Sequence, residues 1–326
     1  MSRPNGSAPD GDPRGTAADA GGPANETPAT RTVAIVGAGG QLGTSLVRRA
    51  PEGAAVVALA RAELDITDAA AVAAHPALAA DVVINAAAYT DVDGAETDEV
   101  RAHLINATAA GHLAERCKTT GAHLIHISTD YVFGDGGPEA GGDADGAAAE
   151  SRPLRVGDPT RPATAYGRTK LAGERLVRDS GAAASIVRTA WVYSGPTQPG
   201  TPDFVSTMLS LEERGRPDGT INVVADQHGN PTFADDLADA LWELALRPVA
   251  GTFHVTGTGA TTWHGLAAET FALAGADPAR VRPCTSAEFP RPAPRPAWSV
   301  LDGNDWRDAG FTPLPGWRDA LRRALL

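Results

Sequence analysis

The sequence is poor in residue types that often carry chemistry or crosslinks. It has two cysteines, Cys117 and Cys284, and four tyrosines among 326 residues. Of its 28 basic residues only Lys118 and Lys170 are lysines, and the rest are arginines. Two cysteines cannot build a disulfide framework or a four-cysteine metal site, and they suit a reducing, cytoplasmic setting. No apolar run approaches the roughly 20 residues that span a bilayer, and the N-terminus lacks the hydrophobic core of a signal peptide, so no membrane partner is expected. Positive charge is also short: 28 Lys and Arg face 40 Asp and Glu, for a net charge of −12. Such a surface repels polyphosphate backbones, which argues against nucleic acid as a partner and leaves room only for a local anion pocket.

What is present is enough apolar material, 42% of the chain, for one large domain or a domain with a smaller annex. Residues 1–30 hold five glycines and five prolines but no Val, Ile, Leu or Phe. They cannot offset their own ordering entropy and read as a disordered tail outside the fold. From Thr32 onward, short apolar runs alternate with helical patterns. Strands are expected at 32–36, 54–59, 81–85, 122–127 and 185–188. Helices are expected at 41–49, 98–118 and 165–179. In the longest helix Val100, Leu104, Ala107, Gly111, Ala114 and Cys117 are expected to share one face. The alternation argues for an α/β chain with a doubly wound parallel sheet covered on both faces. Gly134–Thr164 reads as a surface excursion, and the Pro-dense stretch 282–296 cannot be a regular helix. After Trp191 the elements shorten, with helices at 204–213, 233–246 and 263–274 and a strand at 252–255. This gives a sheet domain over 31–190 and mainly a smaller lobe over 191–326, some segments of which return to the sheet domain.

Three constellations carry chemistry. Gly37, Gly40 and Gly43 form GxxGxxG between a strand and a helix, where glycines allow a tight turn, close approach of a pyrophosphate and close helix packing. The next strand ends Leu59-Ala60-Arg61 with no carboxylate at its tip. Arg61 could meet a 2′-phosphate there, which favours NADPH over NADH, and Asp65 could lie beside the adenine. Ala86-Ala87-Ala88-Tyr89-Thr90 follows the third strand with small residues that let a dinucleotide lie against the backbone. Tyr166 and Lys170 stand at i and i+4 on one helix face, where an ammonium should lower the phenol pKa and fit the tyrosine to give a proton to a carbonyl oxygen. In a chain with four tyrosines and two lysines, chance rarely makes that pair. Ser128 and Thr129 follow a strand in Ile127-Ser-Thr-Asp-Tyr-Val-Phe133. There Thr129 could bond a substrate oxygen, or both could simply cap the turn.

Together these strings resemble the extended short-chain dehydrogenase/reductase superfamily. Val83–Asp93, His126–Phe133, Val187–Tyr193, Asp226–Thr232 and Thr261–His264 narrow the resemblance to the dTDP-4-dehydrorhamnose reductase family, over about 32–326. The resemblance implies a Rossmann-type fold with a C-terminal substrate-binding lobe, and hydride transfer from NADPH (or NADH) to C4 of a dTDP-4-dehydro-sugar. It implies Tyr166 as proton donor, Lys170 as its partner and ribose ligand, and Thr129 as third catalytic member. Gly40, Gln41 and Leu42 would meet the phosphates, Asp65 and Ile66 the adenine, and Ala87, Ala88, Tyr89, Thr90 and Ile127 the rest of the cofactor. Asp130 would hold the sugar, Trp191 would pack on the nucleotide end, and Arg295 could reach the diphosphate. Some members dimerise through a glutamate-bound metal. The corresponding position here is Ser45, so no metal is expected, while a homodimer remains an option. Three alternatives stand beside this reading: a reductase of another dTDP-4-keto-6-deoxysugar, a non-catalytic nucleotide-binding subunit, and an epimerase or dehydratase that regenerates its cofactor.

Overall fold

The apolar runs become six strands: β1 (Thr32–Val36), β2 (Ala55–Leu59), β3 (Val82–Asn85), β4 (His123–Thr129), β5 (Ala184–Thr189) and β6 (Gly251–His254). The computed structural model describes Met1 and residues 31–134, 152–198, 202–214 and 219–326. The strands form one parallel sheet in the order β2-β1-β3-β4-β5-β6. The chain reverses its direction of travel between β1 and β3, and ligands of open α/β sheets sit in the crevice at such a reversal.

Because side chains alternate along a strand, β1 feeds two apolar layers. Val33 and Ile35 join Ile84, Ile125 and Val187 beneath helices α1 (Gln41–Arg48) and α4 (Ala234–Leu246). Ala34 and Val36 join Val83, Leu124 and Ile186 beneath α2 (Ala109–Thr120) and α3 (Ala165–Ser180). A fully buried Leu, Ile or Val is worth about 1.5–3 kcal/mol, so these layers are the main force behind the sheet.

Two expectations needed correction. The strand expected to be buried at 54–59 is an edge strand with Ala55 exposed, because only β1 pairs with it. The single helix expected at 98–118 is broken into Glu99–His103, a π turn at Leu104–Thr108, and α2. The π turn inserts a residue and rotates the apolar stripe, so Val100 and Leu104 are 85% and 40% exposed while Ala107, Ala114 and Cys117 are buried. The stretch 282–296 forms no regular helix, in line with its prolines; it begins with a short strand, Val281–Cys284, which pairs with Ile221–Val224.

Arg31–Leu326 form one unit. The sixth strand and α4 both come from beyond Trp191, and Trp306 and Phe311 complete the layer under α1. The tail expected at 1–30 lies outside the described residues apart from Met1, as does most of the Gly134–Thr164 excursion. Among the described residues no helix is long and apolar enough to cross a membrane.

Candidate active site

The chain leaves β1 through Gly37, whose φ of +82° suits glycine. A Cβ on Gly37 would lie 2.6 Å from the Ala87 nitrogen, and one on Gly43 would lie 2.1 Å from the Gly37 oxygen. These two glycines therefore lock the turn, α1 and the loop after β3 together, while Gly39 and Gly40 stay exposed. No side chain caps α1, and no acidic residue occupies its first turn. Its free N–H groups and positive end suit an anion, so the turn fits a pyrophosphate. Leu42 is only 8% exposed in the core, leaving its backbone for a ligand, and the Gln41 amide donates to Ser194 Oγ (3.1 Å) and Asp203 Oδ2 (3.2 Å).

Beyond β3, Ala87 and Ala88 are half-buried and Thr90 is exposed. The Tyr89 backbone is pinned on both sides by Asn106, which accepts from its N–H at 2.8 Å and donates to its carbonyl at 3.1 Å. Arg61 and Asp65 are both exposed beyond β2. Hydrogen bonds from the Thr67 hydroxyl and N–H hold the Asp65 carboxyl below its usual range, and Arg61 adds to this. Ile66 is buried with its side chain in the apolar layer under α2. The position that would carry a ribose-binding carboxylate is Ala60, beside Gly39.

The second group gathers where β4 ends against α3. The helix starts at Thr164, which accepts from Gly167 N–H (3.0 Å), while Glu96 accepts from Ala165 N–H (2.8 Å). Gly167 has no room for a Cβ, which would lie 2.4 Å from the Tyr131 oxygen. The Tyr166 ring thus meets Tyr131 edge-on, with centroids 5.5 Å apart. Lys170, 2% exposed, donates to the Ile127 carbonyl at 2.6 Å. Thr129 donates to Asp130 Oδ1 (2.9 Å) and also accepts from Tyr131 N–H (3.3 Å), so it does cap the following turn. Ser128 does not cap; it donates to Glu174 at 2.6 Å. Asp130 is 2% exposed, and its Oδ2 has no partner among the described residues. Burial lifts its carboxyl to about 6, although Ser299 and Thr129 pull the other way.

The expected lowering of the Tyr166 phenol is not found. Burial pushes it up to about 12, the Thr129 hydroxyl opposes this, and the Asp130 charge adds to it. The ammonium that was to lower it is turned to Ile127 instead. Burial also brings the Lys170 ammonium down to about 8, with the Glu174 charge pulling it back up.

Trp191 packs on one side against the cluster of Val132, Phe133 and Leu171, beside this group, and on the other against the Tyr193–Trp317 cluster of the C-terminal half. It is the one non-glycine residue with positive φ (+48°) among the described residues, and it stacks on Trp263 at 3.7 Å with planes 8° apart. Gly229 makes room for it, since a Cβ there would sit 2.4 Å from the Trp191 ring. Arg295 is engaged by Asp93 at 2.9 Å. Ser45 is fully buried, donates to Asp235 (2.7 Å) and accepts from Gln198 (2.8 Å). No group of three or more His, Cys, Asp or Glu among the described residues is placed to hold a metal.

Sequence reasoning missed Glu174 and Asn106, and it singled out Trp263 only as part of the Thr261–His264 string, with no role. A charged residue repeating the Tyr166–Lys170 spacing on a buried helix face was the available signal for Glu174. Asn106 gave none beyond its type.

The profile of the RmlD substrate binding domain family matches residues 31–326. A dTDP-4-dehydrorhamnose reductase of Mycobacterium tuberculosis is 48% identical over 293 residues, covering 89% of this chain and 91% of the relative. A probable dTDP-4,6-dihydroxy-2-methyloxan-3-one 4-ketoreductase of Streptomyces antibioticus is also 48% identical, over 89% of this chain and 93% of its own. The crystal structure of a Bacillus anthracis dTDP-4-dehydrorhamnose reductase in complex with NADP superposes with a TM-score of 0.80 at 35% identity, covering 90% of this chain and 98% of that one. The chain belongs to the dTDP-4-dehydrorhamnose reductase family, with the Rossmann-type sheet of the extended short-chain dehydrogenases/reductases.

Proposed function

We propose that the protein reduces the C4 keto group of dTDP-4-dehydro-β-L-rhamnose to give dTDP-L-rhamnose, with NADPH as reductant. The observation that carries this reading is the meeting of Thr129, Asp130, Tyr166 and Lys170 at the carboxyl end of β4, in a chain whose relatives bear that name. NADPH, when bound, supplies the hydride. The turn at Gly37–Gly43 would hold its phosphates, and the carboxylate-free tip at Ala60-Arg61 favours the 2′-phosphate form.

With its phenol near 12, Tyr166 keeps its proton at neutral pH, the state a proton donor needs. Its hydroxyl gives that proton to the carbonyl oxygen, and the Thr129 hydroxyl, which donates to Asp130 in this structure, turns its hydrogen to the same oxygen as charge builds there. Lys170, with a value near 8, is mostly charged at neutral pH; held on the Ile127 carbonyl one helix turn from Tyr166, it would have to swing from that carbonyl to offset the phenolate left behind. The free Oδ2 of Asp130 accepts a hydroxyl of the sugar, and Trp191 offers a flat face to the base. The free thiols of Cys117 and Cys284 fit a reducing cytoplasm.

The Streptomyces antibioticus relative is as similar as the rhamnose-pathway one, which favours a second reading on another dTDP-4-keto-6-deoxysugar. The test is NADPH absorbance followed with a panel of dTDP-4-ketosugars. Stoichiometric loss, fastest with 4-dehydrorhamnose, and a drop of about 10²–10⁴-fold in Tyr166→Phe with cofactor binding kept, are the expected results. A faster different sugar would sink the first reading, and turnover with no net NADPH loss would point to epimerase or dehydratase chemistry.

A further inference from the structure

Glu174 lies four residues beyond Lys170, and the two side chains are 0% and 2% exposed. Positions i and i+4 lie side by side on a helix, so Tyr166, Lys170 and Glu174 form one ridge of α3. Glu174 Oε1 accepts from Ser128 Oγ (2.6 Å) and Arg188 Nε (2.8 Å). Its Oε2 accepts from Arg188 Nη2 (2.8 Å) and Arg178 Nη2 (2.7 Å). Three successive residues of β4 thus each hold a partner: the Ile127 carbonyl takes the Lys170 ammonium, Ser128 reaches Glu174, and Thr129 reaches Asp130.

A buried carboxylate is expensive, and an arginine fork alone often leaves no net gain in stability. Its placement next to the ammonium gives it another task. We propose that Glu174 is a positioning residue for the reduction: clamped to the ends of β4 and β5, it seats α3 so that Lys170 reaches the Ile127 carbonyl one turn from Tyr166, with a buried negative charge one turn further on. This rests on the reading of Tyr166 and Lys170 as a proton-donor pair.

The charged and titratable groups around Lys170 are few. Its own helix gives Tyr166, Glu174 and Arg178, β4 gives His126 and the turn after it Asp130, and β5 gives Arg188. His126 is 1% exposed, and burial with the Lys170 charge brings it down to about 3, so it is neutral and adds no counter-charge. Asp130 bears on Tyr166. For Lys170 the opposing influences are burial, which favours the neutral amine, and Glu174, which favours the ammonium. Burial in turn opposes the Glu174 charge, yet Arg188, Ser128 and Arg178 hold that carboxyl down at about 2, so the counter-charge stays in place at any working pH.

The scarcity of lysine makes this measurable. Protein labelled at lysine Cε gives two lysine NMR signals, from Lys170 and from exposed Lys118, which serves as internal reference. In Glu174→Gln the Lys170 titration midpoint should fall by about one unit or more, a tenfold change in its protonation equilibrium, with Lys118 unmoved. The alkaline limb of the kcat profile should move down in step. A midpoint that is unchanged, or that rises as a loosened core admits water, would overturn the proposal. Should Glu174→Gln fail to fold, Arg178→Gln decides, at a side chain that is 41% exposed. It leaves the Glu174 charge less neutralised, so the midpoint should rise, and an unchanged or lower midpoint would overturn the proposal. The titration needs no substrate. A coupled Lys170 in a protein without turnover would refute the reductase reading, and normal turnover with an uncoupled Lys170 would refute this one.

Discussion

Asp130 shows how one residue can be read in part. Its position after a strand, next to Thr129, was visible in the sequence. Its unpartnered oxygen and raised carboxyl were not, because they depend on burial by the rest of the fold, which outweighs the opposing pull of Ser299 from the far end of the chain. The raised value has a thermodynamic sign. Between an ordinary aspartate value of about 3.9 and the folded value of about 6, the native state binds more protons than the unfolded chain. Stability contributed by this group is therefore present at low pH and lost as pH rises through that window. Asp130→Asn removes the dependence. Relative to the native protein, the variant should gain on the order of 2 kcal/mol of stability on going from pH 4 to pH 7, read from thermal melts. A difference that stays constant with pH would contradict the assignment. Turnover should fall at the same time, since the sugar loses an acceptor.

At the scale of elements, the π turn Leu104–Thr108 matters most. It aims Asn106 inward, where the side chain pins Tyr89 and donates to Thr169 at 3.1 Å, tying the loop after β3 to α3. Gly173 lets the two helices approach this closely: a Cβ there would lie 2.1 Å from the Asn106 oxygen. Gly173→Ala should cost about 1–3 kcal/mol by overpacking, and weaken NADPH binding because the Tyr89 loop moves with Asn106. Calorimetry for stability and fluorescence titration for the cofactor would check this; a destabilised variant with unchanged cofactor affinity would break the proposed link. The residues of this helix pair were legible as helical, but a period of 3.6 cannot announce one inserted residue. The stripe through Val100 and Leu104 was therefore placed on the wrong side. The place of the Gly37–Gly43 turn, between β1 and α1, was legible because its glycines lie within a few residues of one another.

For the whole molecule, the strands were legible near their true bounds, while their order was not. Apolar runs identify a strand but not its neighbour, and the strand at 252–255 gave no sign that it would pair with β5. The layer beneath α1 draws Trp242, Phe253, Trp306 and Phe311 from the C-terminal half. Residues 31–190 expressed alone should therefore lack cooperative thermal melting, while 31–326 should melt in one transition. A sharp transition from the shorter chain would show that the sheet domain stands by itself. The same interdependence holds Trp191 in its unusual backbone conformation, stacked on Trp263. Two indoles in near-parallel contact couple their excited states, so the pair is a chromophore with its own signed bands in the near-ultraviolet circular dichroism. A ligand that slides against Trp191 or separates it from Trp263 would change those bands directly. The protein thus carries, at the mouth proposed for the nucleotide, an unlabelled optical gauge of whether that mouth is filled.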